Sequence, residues 1–118
     1  MCHCDATFDK PDYHASIAKR GAYIGFDQFG HEIMASEGKF LPRDSERIKG
    51  IATQLERGYL RNVLVSDDVC FKTCLVKLGG WGYAHVLRDI VPLLKLAGVS
   101  GNEIKTILIE NPKRLVAF

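Results

Sequence analysis

The 118-residue sequence lacks any apolar run approaching the ~18 residues that a membrane span requires. Its first residues, Met1-Cys2-His3-Cys4-Asp5, have neither the charged start nor the apolar stretch of a secretory leader. The expected location is therefore cytoplasmic, with no membrane partner. It also lacks an excess of one charge: sixteen Lys and Arg against fourteen Asp and Glu leave +2. The basic residues are scattered rather than striped, which argues against nucleic acid as a partner. No segment is polar enough for a disordered tail, and 47% hydrophobic with 25% charged residues is the composition of a chain with a core. Cysteine is sparse. Cys2, Cys4, Cys70 and Cys74 lie in ordinary globular sequence, unlike a stapled secreted domain, so reduced thiols are expected rather than a disulfide framework. A four-thiolate zinc site is the weaker alternative, because C-x-C and C-x3-C differ from the C-x2-C knuckles that structural zinc sites favour.

What the chain does contain is a repeated order of helix, glycine stop and short apolar strand. Residues 9–20 predict a helix with Asp9 as N-cap, Pro11 in the first turn and Gly21 as its stop. Ala22–Phe26 follows as an apolar strand, of the kind covered on both faces, ending at Asp27. The order recurs: Asp44 caps a helix over 45–57, whose Ile48, Ile51, Ala52 and Leu55 form one apolar face, and Gly58 stops it. Val63-Leu64-Val65 is the next strand and ends in Ser66-Asp67-Asp68. This is the grammar of parallel βα units, which place their chemistry just past the carboxyl ends of the strands. Residues 69–80 form a long connection of the sort used for binding loops. A helix is expected over 81–97, with Pro92 kinking it or starting a second one. Gly98 is a further stop, Ser100 and Glu103 make a capping box for a helix to about Ile109, and Asn111-Pro112 breaks the chain before a short terminal helix. Met1-Cys2 reads as the last step of a preceding strand.

This layout puts His3, Asp27 and Asp68 at the tips of three adjacent strands. Imidazole and carboxylate are ligands for zinc or a related divalent ion. Asp67 and Asp68 repel each other unless a cation or donors offset the charge, or unless they serve only as a cap or turn; in an extended chain only one of the two points inward. His14 and His85 are expected on the surface or in helix packing, and His31 in a loop.

His3-Cys4-Asp5, Arg20-Gly21-Ala22-Tyr23-Ile24-Gly25-Phe26-Asp27, Arg57-Gly58-Tyr59, Val63-Leu64-Val65-Ser66-Asp67-Asp68, Gly79-Gly80-Trp81-Gly82-Tyr83 and Glu110-Asn111-Pro112-Lys113-Arg114-Leu115 occur in this order. In these strings the chain resembles the phosphotriesterase family of aryldialkylphosphatases and lactonases, in the amidohydrolase superfamily. The resemblance implies an α/β fold, with residues 1–118 as the C-terminal three βα units of a (β/α)8 TIM barrel and no second domain. A complete barrel takes roughly 250 residues. It implies a hydrolase of organophosphate triesters or lactones as the small-molecule substrate. In such an enzyme two divalent metal ions, zinc foremost, hold a hydroxide that attacks phosphorus or the carbonyl carbon. His3 and Asp68 would be metal ligands, and Asp68 also the catalytic group that takes the proton. Asp27 would support the site without ligating metal, and Cys70 and Trp81 would line the substrate pocket. Gln28 departs from the family, which often has histidine or arginine beside the aspartate. The family's remaining ligands, an H-x-H on the first strand, a bridging lysine or glutamate on the fourth and a histidine on the fifth, are absent. The resemblance thus implies that the parent enzyme is active, commonly as a homodimer, and that these 118 residues alone are inactive. A protein of the same fold that only binds a ligand or another subunit is the alternative.

Overall fold

The computed structural model describes residues 1–36 and 38–117. In chain order the elements are α1 (Pro11–Ala18), β1 (Ile24–Phe26), β2 (Met34–Ser36), β3 (Lys39–Phe40), α2 (Asp44–Glu56), β4 (Val63–Val65), α3 (Val91–Leu96), α4 (Gly101–Lys105) and α5 (Asn111–Val116). β1 and β4 pair in parallel, with Ile24 opposite Val63 and Phe26 opposite Val65. A parallel pair needs a crossover, and α2 supplies it. Met1 adds a step on the other edge of β1: its amino group donates to the Tyr23 carbonyl and its own carbonyl accepts from the Gly25 N–H, each at 2.9 Å. That alternation is the parallel ladder expected of Met1-Cys2. β2 and β3 form a separate antiparallel hairpin that the sequence pattern did not predict.

The core lies between one sheet face and the helices. Ile24, Phe26 and Val63 meet Ile17 of α1, Ile48 and Ile51 of α2, and Leu94 of α3. Gly21 and Gly58, at φ +79° and +84°, end α1 and α2 in the left-handed turn predicted for them. On the opposite face a cavity of about 390 Å³ is lined by Met1, Gly25, Asp27, Leu64, Ser66 and Leu115 among others. The result is an α/β arrangement, and among the described residues no closed barrel is formed. No helix among them is long and apolar enough to cross a membrane.

Four expectations are corrected. Asp9 does not cap α1: it lies in the turn that joins the 3-10 turn Cys4–Thr7 to the helix, the Lys10 N–H donates to the Thr7 carbonyl, and Lys10 takes the cap position. Asp44 lies inside α2 rather than capping it; the Arg43 N–H, at the cap, donates to Glu46 at 2.8 Å, while the Asp44 carboxylate turns inward. The helix expected over 81–97 starts only near His85, because Gly82 has φ +70° and its N–H donates to the Cys74 carbonyl at 2.8 Å. Asn111-Pro112 does not break the chain. Both Pro92 and Pro112 sit in the first turn of an α-helix, preceded by a wide π turn, Val86–Ile90 and Thr106–Glu110 respectively. Each proline lacks the N–H that would close the ordinary turn, so the helix loosens by one residue and continues. Asn111 is buried and donates to the Leu60 and Val63 carbonyls, fastening α5 beneath β4.

Candidate metal centre

His3 and Asp68, the two predicted metal ligands, are the non-glycine residues with positive φ among those described, at 55° and 39°. L-residues held in this region cost of order 1–3 kcal/mol and concentrate at functional sites. His3 follows the Met1 strand step, and its N–H donates to Asp27 Oδ1 at 2.8 Å. Its ring Nδ1 lies 3.0 Å from the same oxygen, with the side chain about half exposed. A carboxylate acceptor fixes the proton on Nδ1 and leaves Nε2 as the free lone pair, the arrangement that second-shell carboxylates impose on metal-binding histidines. Asp27 follows β1, whose buried Ile24 and Phe26 fix it in place.

Asp68 follows β4 and meets a residue that sequence reasoning left as a loop histidine. His31, buried, directs Nε2 to the Asp68 carbonyl oxygen at 2.7 Å and lies 4.0 Å from Asp68 Oδ2. Trp81 stacks edge-on against the His31 ring at 4.5 Å, and its indole N–H donates to the Asp67 carbonyl at 3.1 Å. Trp81 can lie there because Gly30 has no side chain: a Cβ on Gly30 would come within 2.5 Å of the indole. Asp67 precedes Asp68 and lies outside both of the groups described below. One of its oxygens is buried without a partner, and burial raises its carboxyl above the usual range despite the nearby histidines. The exposed Cys70 thiol is pushed up by desolvation and by the charge of Asp68, so it is held as the thiol.

Among the described residues, two groups have the composition and spacing to hold a cation. His3, Asp5 and Asp27 form one, and His31, Asp68 and Cys70 the other; within each, one ligand atom per residue lies within 4.8 Å of the rest. Donors of this kind suit a divalent metal, so the residues fit the ion the resemblance implies. His3 and Asp68 fall in different groups, and neither group joins two cysteines. All four thiols are free, Cys4 and Cys74 buried and Cys2 and Cys70 exposed.

Asp5 of the first group also belongs to a set of charges that runs beneath both. Asp5 is fully buried, accepts the Gln28 N–H at 3.0 Å and pairs with the equally buried Arg47 at 2.9 Å. Burial raises the Asp5 carboxyl, against the pull of Arg47 and the Gln28 N–H. Asp44 accepts from the Gly30 N–H and from Arg47, and its second oxygen lies 2.7 Å from His85 Nε2. His85 Nδ1 in turn lies 2.7 Å from Asp89, whose carboxyl is held at about 2 by Arg88 first and His85 next. His14 is buried, as helix packing predicts, with its ring edge-on to Phe26. Sequence reasoning missed His31, Asp44 and Arg47. His31 stands four residues past Asp27 in the same loop, a weak signal; a charged residue within an amphipathic helix reads as solvated, so Arg47 left none.

The model of the phosphotriesterase family matches residues 1–116. N-acetyltaurine hydrolases are among the similar proteins: that of Salmo salar is 36% identical over the whole chain, as is that of Homo sapiens, and that of Dictyostelium discoideum is 40% identical over 98%. The chain spans about a third of the length of these relatives, 35%, 35% and 32%. Among solved structures, a resiniferatoxin-binding protein from Rhodobacter sphaeroides superposes with a TM-score of 0.93 at 35% identity, over 97% of this chain and 32% of that one. The phosphotriesterase homology protein from Escherichia coli gives 0.85 at 30% identity, over 95% and 36%. These relatives correct the expected reaction and substrate. Consistent similarity to enzymes named for hydrolysis of an amide, N-acetyltaurine, overturns the expectation of a phosphotriester or lactone substrate. The motifs behind that expectation are strand-tip ligands and turns, which one scaffold keeps while its chemistry changes; they carry no information about the bond cleaved. With the family model matching residues 1–116, almost end to end, the chain belongs to the phosphotriesterase family.

Proposed function

We propose that residues 1–118 are one partial domain, the C-terminal three βα units of a (β/α)8 barrel, in a metal-dependent amide hydrolase acting on N-acetyltaurine. The observation that carries this reading is the His3–Asp27 pair, 3.0 Å between Nδ1 and Oδ1, which leaves His3 Nε2 free in a chain 36% identical along its whole length to N-acetyltaurine hydrolases. His3 and Asp68 would each hold one of two divalent ions, zinc suiting imidazole and carboxylate best. Bound there, the ions would polarise the amide carbonyl and lower the pKa of water. Asp68 is the catalytic base: it takes a proton from the attacking water and returns it to the amide nitrogen as the C–N bond breaks, leaving acetate and taurine. Asp27 holds the His3 tautomer. Gln28 braces the turn that carries Asp5, while Cys70 and Trp81 border the substrate beside Asp68. The few cysteines, set in ordinary globular sequence, support a reducing, cytoplasmic setting.

The test is a chimera in which residues 1–118 replace the matching third of the Homo sapiens N-acetyltaurine hydrolase. It should release acetate from N-acetyltaurine and stop on chelation. Asp68→Ala should lower kcat by about 10²–10⁴-fold, the usual contribution of a positioned base. A folded, metal-loaded chimera that leaves N-acetyltaurine intact, or an Asp68→Ala form with unchanged kcat, overturns the reading.

A further inference from the structure

Arg47 spends its guanidinium on three separate segments. Nε–H donates to Asp5 Oδ2 at 2.9 Å, Nη1–H to Asp44 Oδ1 at 2.8 Å and Nη2–H to the His31 carbonyl at 2.8 Å. The Phe29 ring lies 5.9 Å from its central carbon, and the side chain is fully buried. Asp5 follows His3 by two residues and also accepts the Gln28 N–H, next to Asp27. His31 rests on the Asp68 carbonyl. The one guanidinium is therefore a step or two from every strand-tip residue, and it ties the His3 loop to the Asp68 loop across the β1–β4 pair. Stability alone is a poor account of it. A fully desolvated ion pair regains little beyond its desolvation cost and is often matched by apolar side chains of similar volume. A rigid planar fork, in contrast, fixes directions that a flexible ammonium cannot.

We propose that Arg47 is a positioning residue that sets the mutual geometry of the two strand-tip groups, resting on the reading of His3 and Asp68 as the metal-holding residues. Asp44 and His85 extend the same frame: Asp44 holds the Gly30 N–H, and His85 holds Asp44.

The experiment uses the 118-residue chain with Arg47→Lys, which keeps the charge but not the fork, and the pair Asp5→Asn with Arg47→Met, which removes the Asp5–Arg47 ion pair as a unit and leaves Asp44 to the Gly30 N–H and His85. Ile51→Val is the control for core loosening. Two readouts are taken: imidazole NMR signals of His3 and His31 without metal, and affinity for zinc alone against a chelating dye. Both Arg47 forms should keep the far-ultraviolet spectrum, shift the His3 and His31 ring signals and lose zinc affinity by about 10–100-fold, as expected for lost second-shell support. Ile51→Val should move neither. Ring signals and zinc affinity within twofold of the parent, in either folded Arg47 form, overturn the proposal. A parent chain that takes up no zinc would count against the metal reading instead, and the metal-free ring signals then decide on Arg47: shifted supports it, unshifted overturns it.

Discussion

Gly30→Ala tests the packing that places Trp81 over His31. Gly30 has φ +89°, where an L-residue is strained by roughly 1–2 kcal/mol. Its Cβ would also stand 2.5 Å from the indole of Trp81, a contact that real Cβ atoms do not make. The indole is held by its N–H to the Asp67 carbonyl and by the His31 ring, so it cannot swing aside freely. Forcing a methyl into such packing costs typically about 1–3 kcal/mol. The total is then about 2–5 kcal/mol. Gly21 supplies the control: its φ is +79°, close to that of Gly30, but nothing lies within 4 Å of the position of its Cβ. Gly21→Ala should therefore cost the strain alone, about 1–2 kcal/mol. Urea unfolding followed by fluorescence reads both, because Trp81 is the sole tryptophan and reports its own surroundings. Gly30→Ala should also shift the native emission, and Gly21→Ala should not. Equal losses for the two variants with unchanged emission would refute the close packing of Trp81 on the Gly30 loop.

Two further outcomes follow from groups outside the site. Burial holds the His14 imidazole below its ordinary value, so the folded chain keeps it neutral while the unfolded chain takes up a proton below about pH 6.5. Stability is thus fully present above that pH and falls on acidification; His14→Phe, which keeps the edge-on contact with Phe26, should flatten the loss between pH 7 and 5, and an unchanged slope in urea titrations would count against it. At α4, Ser100 Oγ accepts the Glu103 N–H, while the Glu103 carboxylate accepts from the Ser100 hydroxyl at 2.6 Å and from the Ser100 N–H at 2.8 Å, which together, the hydroxyl foremost, hold the Glu103 carboxyl below its usual range. Ser100→Ala should cost about 1 kcal/mol at pH 7 by thermal unfolding. This contribution should fade as pH falls through the lowered Glu103 value, because protonation removes the acceptor's charge.

The glycine stops, the strand Val63–Val65, the capping box and the order of acidic strand tips were legible because each is a local matter of backbone freedom, hydrophobic period or hydrogen bonding between residues a few positions apart. So was the family, since its signature sits in those same strand ends and turns. The sequence by itself thus determined where chain direction changes and which residues stand at the carboxyl ends of β1 and β4. Tertiary structure alone decided what those residues meet. Asp44 reads as a helix cap and became an acceptor for Arg47, Gly30 and His85, because partners distant in sequence arrive only when α2 crosses back onto the sheet. Pro112 reads as a breaker and was absorbed by a wide turn, because Asn111 anchors the helix to Leu60 and Val63. Arg47 and His31, the buried link between the two strand-tip groups, have no periodic or motif signal: apart from Asp44, three residues before Arg47, their side-chain hydrogen-bond partners stand 16 to 42 positions away. Burial and mutual distance are properties of the folded chain, and they alone turn a charged helix residue into the frame of a site.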